Sequence, residues 1–141
     1  MGNNKSTSIK LNFEDIQFIL NNPGGCLLIN TLSELEQDCR ILNTMNIKNE
    51  ENIINRCINA GCKDIKIIIY GKNCNDDKIF TKYNQFTSLG FYNVYIYVGG
   101  MFEWLMLQDI YGDTDFPTTK KELDILKFKP QPILNIALIV N

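Results

Sequence analysis

Hydrophobic and polar positions alternate along the chain in two distinct rhythms. Phe13, Ile16, Ile19 and Leu20 recur at helical spacing behind Asn12, a capping residue followed by Glu14 and Asp15. Asn21-Asn22-Pro23-Gly24-Gly25 ends that helix. Cys26 to Asn30 is a short apolar run of the kind a buried strand makes, and Ser33 with Glu36 forms a capping box in the mixed stretch that follows. Met45-Asn46-Ile47 reads as a further very short strand. Ile53, Ile54, Cys57 and Ile58 line one face of a helix that Gly61 closes. Ile65 to Tyr70 is apolar on both faces and β-branched, the pattern of a central strand covered on both sides.

A polar loop comes next: Gly71, Lys72, Asn73, Cys74, Asn75, Asp76 and Asp77. Ile79, Phe80, Tyr83 and Phe86 then mark a helix, with Leu89 just before Gly90. Asn93 to Val98 is another strand, broken by Gly99-Gly100, and Phe102 to Tyr111 is a helix apolar enough to be largely buried. Beyond Gly112 the pattern changes. Residues 113–119 are turn-rich, and Thr119 with Glu122 predicts a capped short helix. Residues 127–132 are extended around two prolines. The apolar stretch from Ile133 to Val140 is either an edge strand or a partner-binding segment.

Strands alternating with helices predict an α/β sandwich with a mainly parallel sheet and right-handed crossovers. Ligands of such sheets bind beyond the carboxyl ends of the strands. That places the candidate site on the rim after Asn30, after Tyr70 and after Val98.

Composition narrows the chemistry. The 141 residues carry no histidine, which excludes Ser-His-Asp triads, Cys-His dyads and His-containing zinc sites. The net charge of −2 and the pI of about 5.1 speak against a nucleic-acid partner. The 18 Asn and 20 Ile beside two Ala and two Arg reflect a composition bias of the gene. The five cysteines (26, 39, 57, 62 and 74) form no CxxC, and no apolar leader precedes them, so the expected setting is a reducing cytoplasm. Cys26, Cys57 and Cys62 read as small core residues. No residue pattern requires a cofactor or a metal.

The stretch Gly90-Phe91, Asn93-Val94-Tyr95, Gly99-Gly100 and Trp104 resembles the rhodanese-like domain, as does Leu27-Leu28-Ile29-Asn30 upstream. The resemblance spans residues 9–112. It divides the chain into a loose N-terminus (1–8), that domain, and a C-terminal extension (113–141). It implies a five-stranded parallel α/β fold with Trp104 as a core anchor.

The resemblance also implies where chemistry would lie. Active sulfurtransferases of this type place a cysteine directly after the central strand, where its thiolate becomes a persulfide held by loop amides. Here Gly71 stands at that position. The related dual-specificity phosphatases close the loop with an arginine, and Asp77 stands there instead. Asn30 and Leu32 replace an aspartate and an arginine after the second strand.

Cys74 therefore has two readings. In the preferred one it is a loop cysteine on a module without catalysis, and residues 71–77 form a degenerate active-site rim that binds a protein partner. In the other it is a displaced nucleophile passing a persulfide sulfur to a thiophilic acceptor. Asp76 and Asp77 repel an anionic sulfur donor and the thiolate that would attack it, with Lys72 and Lys78 as a partial offset. The adjacent carboxylates of 76 and 77 fit a solvated loop.

One further motif stands apart. Met1-Gly2-Asn3-Asn4-Lys5-Ser6 matches the N-myristoylation pattern, a short pattern that chance also produces. An acyl group on Gly2 would give reversible, peripheral contact with the cytosolic face of a membrane.

Overall fold

The computed structural model describes residues 8–134. Gly2, the rest of residues 1–7, and residues 135–141 of the C-terminal apolar stretch lie outside that range.

Four parallel strands form one sheet in the order β1-β4-β3-β2. They are β1 (Ile9–Leu11), β2 (Cys26–Asn30), β3 (Lys66–Tyr70) and β4 (Val94–Tyr97). The helices between them are α1 (Phe13–Asn21), α2 (Ile47–Asn59), α3 (Lys78–Ser88) and α4 (Gly100–Tyr111). Two short 3-10 turns cover Glu34–Glu36 and Ile125–Phe128.

The central strand explains the layering. Side chains alternate across a strand, so Ile67 and Ile69 face one way while Ile68 and Tyr70 face the other. Ile67 and Ile69 pack with Ile54 of α2 and with Ile79 and Phe86 of α3. Ile68 and Tyr70 pack with Ile16 of α1, Trp104 and Leu105 of α4, and Phe116 and Phe128 of the extension. These four residues of β3, Ile67 to Tyr70, are fully buried. Such a strand can sit only at the centre of a doubly covered sheet.

Several sequence expectations are corrected. Among the described residues the sheet has four strands rather than five. At Met45–Ile47 the chain manages only one parallel bridge, Leu28 to Thr44, with the Met45 amide donating to the Leu28 carbonyl at 2.8 Å. Asn46 then caps α2 through the Lys48 amide, which takes Ile47 into the helix. The capping box of Thr119 and Glu122 makes no helix. The Thr119 hydroxyl accepts from the Arg40 amide and donates to the Asp38 carbonyl, and Glu122 pairs with Lys127. Lys127 and Phe128 belong to a 3-10 turn, so extended backbone begins only at Lys129, before Pro130. Helix α4 buries one face only: Trp104 and Leu105 are inaccessible, while Ile110 and Tyr111 are about two-thirds exposed.

The cysteine pattern also differs. Cys62 is exposed, Cys26 and Cys57 are half-buried, and Cys39 is the buried one. Its thiol donates to the Lys120 carbonyl, and burial pushes its pKa up.

Residues 113–128 pack onto the body. The Trp104 indole donates to the Pro117 carbonyl at 3.1 Å, and Gln108 donates to Phe116 and Thr118. Ile41 and Thr118 form an antiparallel bridge. The extension thereby completes the apolar layer on the α1–α4 face.

Gly100 fixes how α4 leaves β4. Its φ is +67°, and a Cβ there would lie 2.6 Å from the Gly71 carbonyl oxygen and 3.0 Å from the Asn73 amide nitrogen. Only glycine tolerates both the torsion and the approach. Gly100→Ala is expected to cost about 1–3 kcal/mol from the left-handed backbone alone, with the backbone clash in addition. Urea unfolding measures it, and a midpoint equal to that of the native chain would contradict this placement.

Candidate functional site

The carboxyl ends of β2, β3 and β4 meet at the loop of residues 71–77, as the strand order requires. The Thr31 amide donates to the Tyr70 carbonyl at 3.0 Å, and the Met101 amide at the start of α4 donates to the Gly71 carbonyl at 3.0 Å. All three predicted rim segments therefore converge.

The loop is built around Asp76. Its Oδ2 accepts from the Lys72 amide at 3.0 Å and from the Thr31 hydroxyl at 2.9 Å, and its Oδ1 accepts from the Lys78 amide at 3.0 Å. The Asn73 side chain and carbonyl receive the Asn75 and Asp76 amides. Three loop amides and the first amide of α3 thus point at acceptors from the loop itself. A Cβ placed on Gly71 would overlap the Asp76 carboxylate and lie 2.8 Å from the Thr31 hydroxyl. The carboxylate stands where the side chain of residue 71 would be.

The other loop residues have distinct surroundings. Gly71 and Asn73 are buried, Lys72 and Asp76 are half-buried, and Cys74, Asn75 and Asp77 are exposed. Asn73 donates to the Phe128 carbonyl at 2.9 Å, which ties the loop to the extension. The Cys74 thiol donates to Asn75 Oδ1 at 3.8 Å. Asp77 precedes α3 without a side-chain cap. The solvated-loop expectation for the carboxylate pair holds for Asp77 and fails for Asp76, which two local amides and the distant Thr31 hydroxyl draw inward.

Asn30 and Leu32 have structural partners. Asn30 is buried and exchanges hydrogen bonds with Gln37, while its Oδ1 receives the Leu32 amide at 3.0 Å. Leu32 is a core residue.

The sequence pattern did not single out Thr31 and Lys129, and it read Glu36 only as the capping-box partner of Ser33. Thr31 follows β2 directly, and that position was its only signal. Glu36 forms an ion pair with Lys72 at 2.7 Å. Lys129, Pro130, Gln131 and Ile133 close the far side of a cavity of about 410 Å³ above the loop. Lys72, Lys78 and Lys129 border it together with Glu36 and Asp76. A larger open groove of about 740 Å³ between α2 and α3 shares Thr31 and Lys78 with it. Among the described residues, no cluster of three or more His, Cys, Asp or Glu is placed to hold a metal ion. Among the described residues, no helix is long and apolar enough to cross a membrane.

The model of the rhodanese-like domain family matches residues 20–107. The chain belongs to the rhodanese-like family. Solved structures similar to this rhodanese-like chain include the BH2092 protein of Bacillus halodurans, at 20% identity and a TM-score of 0.58, covering 71% of this chain and 73% of that one. The single-domain sulfurtransferase RDL2 of Saccharomyces cerevisiae is 18% identical with a TM-score of 0.57, covering 79% and 97%. The Alr3790 protein of Anabaena sp. is 18% identical with a TM-score of 0.55, covering 83% and 86%. At these identities the likeness is one of fold. No curated protein matches the chain.

Two expectations follow from the rhodanese-like loop. Asp76→Ala leaves the Lys72 and Lys78 amides without their acceptor and should cost about 1–3 kcal/mol in urea unfolding. A loss below a few tenths would contradict the role given to the carboxylate.

The second expectation concerns Glu36. Burial pushes its carboxyl up, but the Lys72 ammonium and the Ser33 amide and hydroxyl outweigh that and hold it below its ordinary value. A depressed carboxyl pKa contributes stability that is present above the ordinary value and lost as pH falls through the folded one. Stability should therefore decline below about pH 4.3. The decline in the native chain should be steeper than in Glu36→Gln, and equal slopes would contradict the ion pair.

Proposed function

We propose that this rhodanese-like domain is a non-catalytic interaction or regulatory module, with the 71–77 rim and the adjoining extension as its binding face. The observation that carries this reading is the Asp76 carboxylate. It is a fixed anion in the place where a persulfide or substrate anion would need the loop amides. Gly71 supplies no nucleophile, and the Lys72, Asn75, Asp76 and Lys78 amides already have acceptors inside the loop. The exposed Ile133 and Leu134 beside the rim give a partner apolar surface, and Lys78 and Lys129 give it charge.

A second reading keeps Cys74 as a thiosulfate-type nucleophile. What favours it is the exposure of the thiol at the edge of the same loop. Its weakness is that Gly71, not Cys74, directly follows β3, and the hydrogen-bond partner of the thiol is the Asn75 side chain.

Intact-protein mass after incubation with thiosulfate separates the two. The module reading expects no sulfur adduct in a folded chain. A cyanide-labile gain of one sulfur atom, lost in Cys74→Ser, would overturn it and make the protein a sulfurtransferase.

A further inference from the structure

A second cleft lies at the sheet end opposite the loop. It occupies about 320 Å³ between α1 and the starting ends of β2 and β3. Its apolar walls are Leu11, Ile19, Cys26, Ile68 and Tyr95, of which Ile68 is fully buried and the others half-buried. Phe18 stands at its mouth with 67% of its surface exposed. Asp15, Asn22 and Lys66, its polar neighbours, are all exposed and form a rim. An apolar interior with a charged rim suits an uncharged hydrocarbon ligand.

The chain itself leads to this cleft. In the sheet, Ile9 pairs with Tyr95, and Tyr95 lines the cleft. Ser8, the first described residue, therefore adjoins the strand position next to the cleft-lining Tyr95. Five residues lie between Gly2 and Ser8, and the stretch reaches up to about 20 Å when extended. That span is enough to return Gly2 to the opening. Residues 2–7, Gly-Asn-Asn-Lys-Ser-Thr, carry no apolar side chain that could fill the cleft. An acyl group on Gly2 supplies what the peptide lacks.

We infer that this cleft seats a saturated fatty acyl chain attached to Gly2, so that membrane contact competes with an internal site. After hydrolytic removal of Met1, the Gly2 amine attacks the carbonyl of an acyl thioester. The amide bond forms, the C–S bond breaks, and the amine proton leaves with the thiol. Seated in the cleft, the chain is withheld from a bilayer. A chain held about nine-tenths of the time lowers the apparent vesicle affinity about tenfold relative to one that is always free. A single myristoyl anchor is weak enough for that competition to decide the outcome.

The test uses the full-length protein co-expressed with an N-myristoyltransferase and myristate. The readouts are NMR shifts of Ile68 and Ile19 against Gly2→Ala, and co-sedimentation with phosphatidylcholine vesicles. The acylated native chain should shift these resonances and sediment weakly. Cys26→Phe fills the cleft, and Phe18→Ser opens its mouth at an exposed position without touching the core. Both should raise the vesicle-bound fraction severalfold.

Three results would overturn the inference. One is unshifted cleft resonances on acylation. Another is vesicle binding that neither variant changes. The third is a chain that the transferase leaves unmodified, which removes the occupant altogether. Free myristate shifting the cleft residues of Gly2→Ala, with no shift in the acylated chain, would make the cleft a fatty-acid site and equally overturn the internal seat.

Discussion

The conformation of the strand-end loop rests on one carboxylate. Asp76 turns inward and takes the Lys72 and Lys78 amides and the Thr31 hydroxyl, joining the start of the loop, its end and the segment after β2. A loop that follows a central parallel strand presents several amides in one direction, and such a concentration of donors demands an anion. In a catalytic loop that anion is a reacting sulfur or a substrate. Here a side chain of the loop accepts from the Lys72 and Lys78 amides, which is what supports the proposed non-catalytic reading. Gly71 is the necessary counterpart, because any side chain there would meet the carboxylate.

The same constraint propagates outward. Gly100 lets α4 begin against the Gly71 carbonyl, which sets the axis of α4 and the place of Trp104 in the core. Trp104 then holds Pro117, Phe116 packs against it with ring centroids 5.0 Å apart, and the extension continues to Phe128, whose carbonyl receives Asn73. The path from loop to helix to extension and back to the loop is closed. A partner gripping the extension would thereby act on the loop.

The fold was legible where the evidence in the sequence is local. The β-branched run before Tyr70, the Asn12 cap and the stop at Gly61 need only their neighbours to act. Trp104 was legible as a core anchor through the family pattern. What escaped depends on contacts far apart in sequence. Asp76 looks like any loop carboxylate until the fold brings Thr31 beside it, 45 residues away. Cys39 is buried only because the extension returns to it, 81 residues on. Thr119 satisfies the rule for a capping box, yet Arg40 and Asp38 engage its hydroxyl instead. The very short strand read at Met45–Ile47 failed for the opposite reason: a local cap at Asn46 outcompeted a sheet pairing reduced to one bridge.

The most direct measurement is the backbone amide NMR signal of Lys72 and Lys78 during titration with thiosulfate, in the native chain and in Asp76→Ala. An internal anion predicts that the native amides stay unmoved and that those of Asp76→Ala shift with saturation as the emptied seat takes the added anion. Native amides that shift and saturate, or two chains that respond alike, would contradict it.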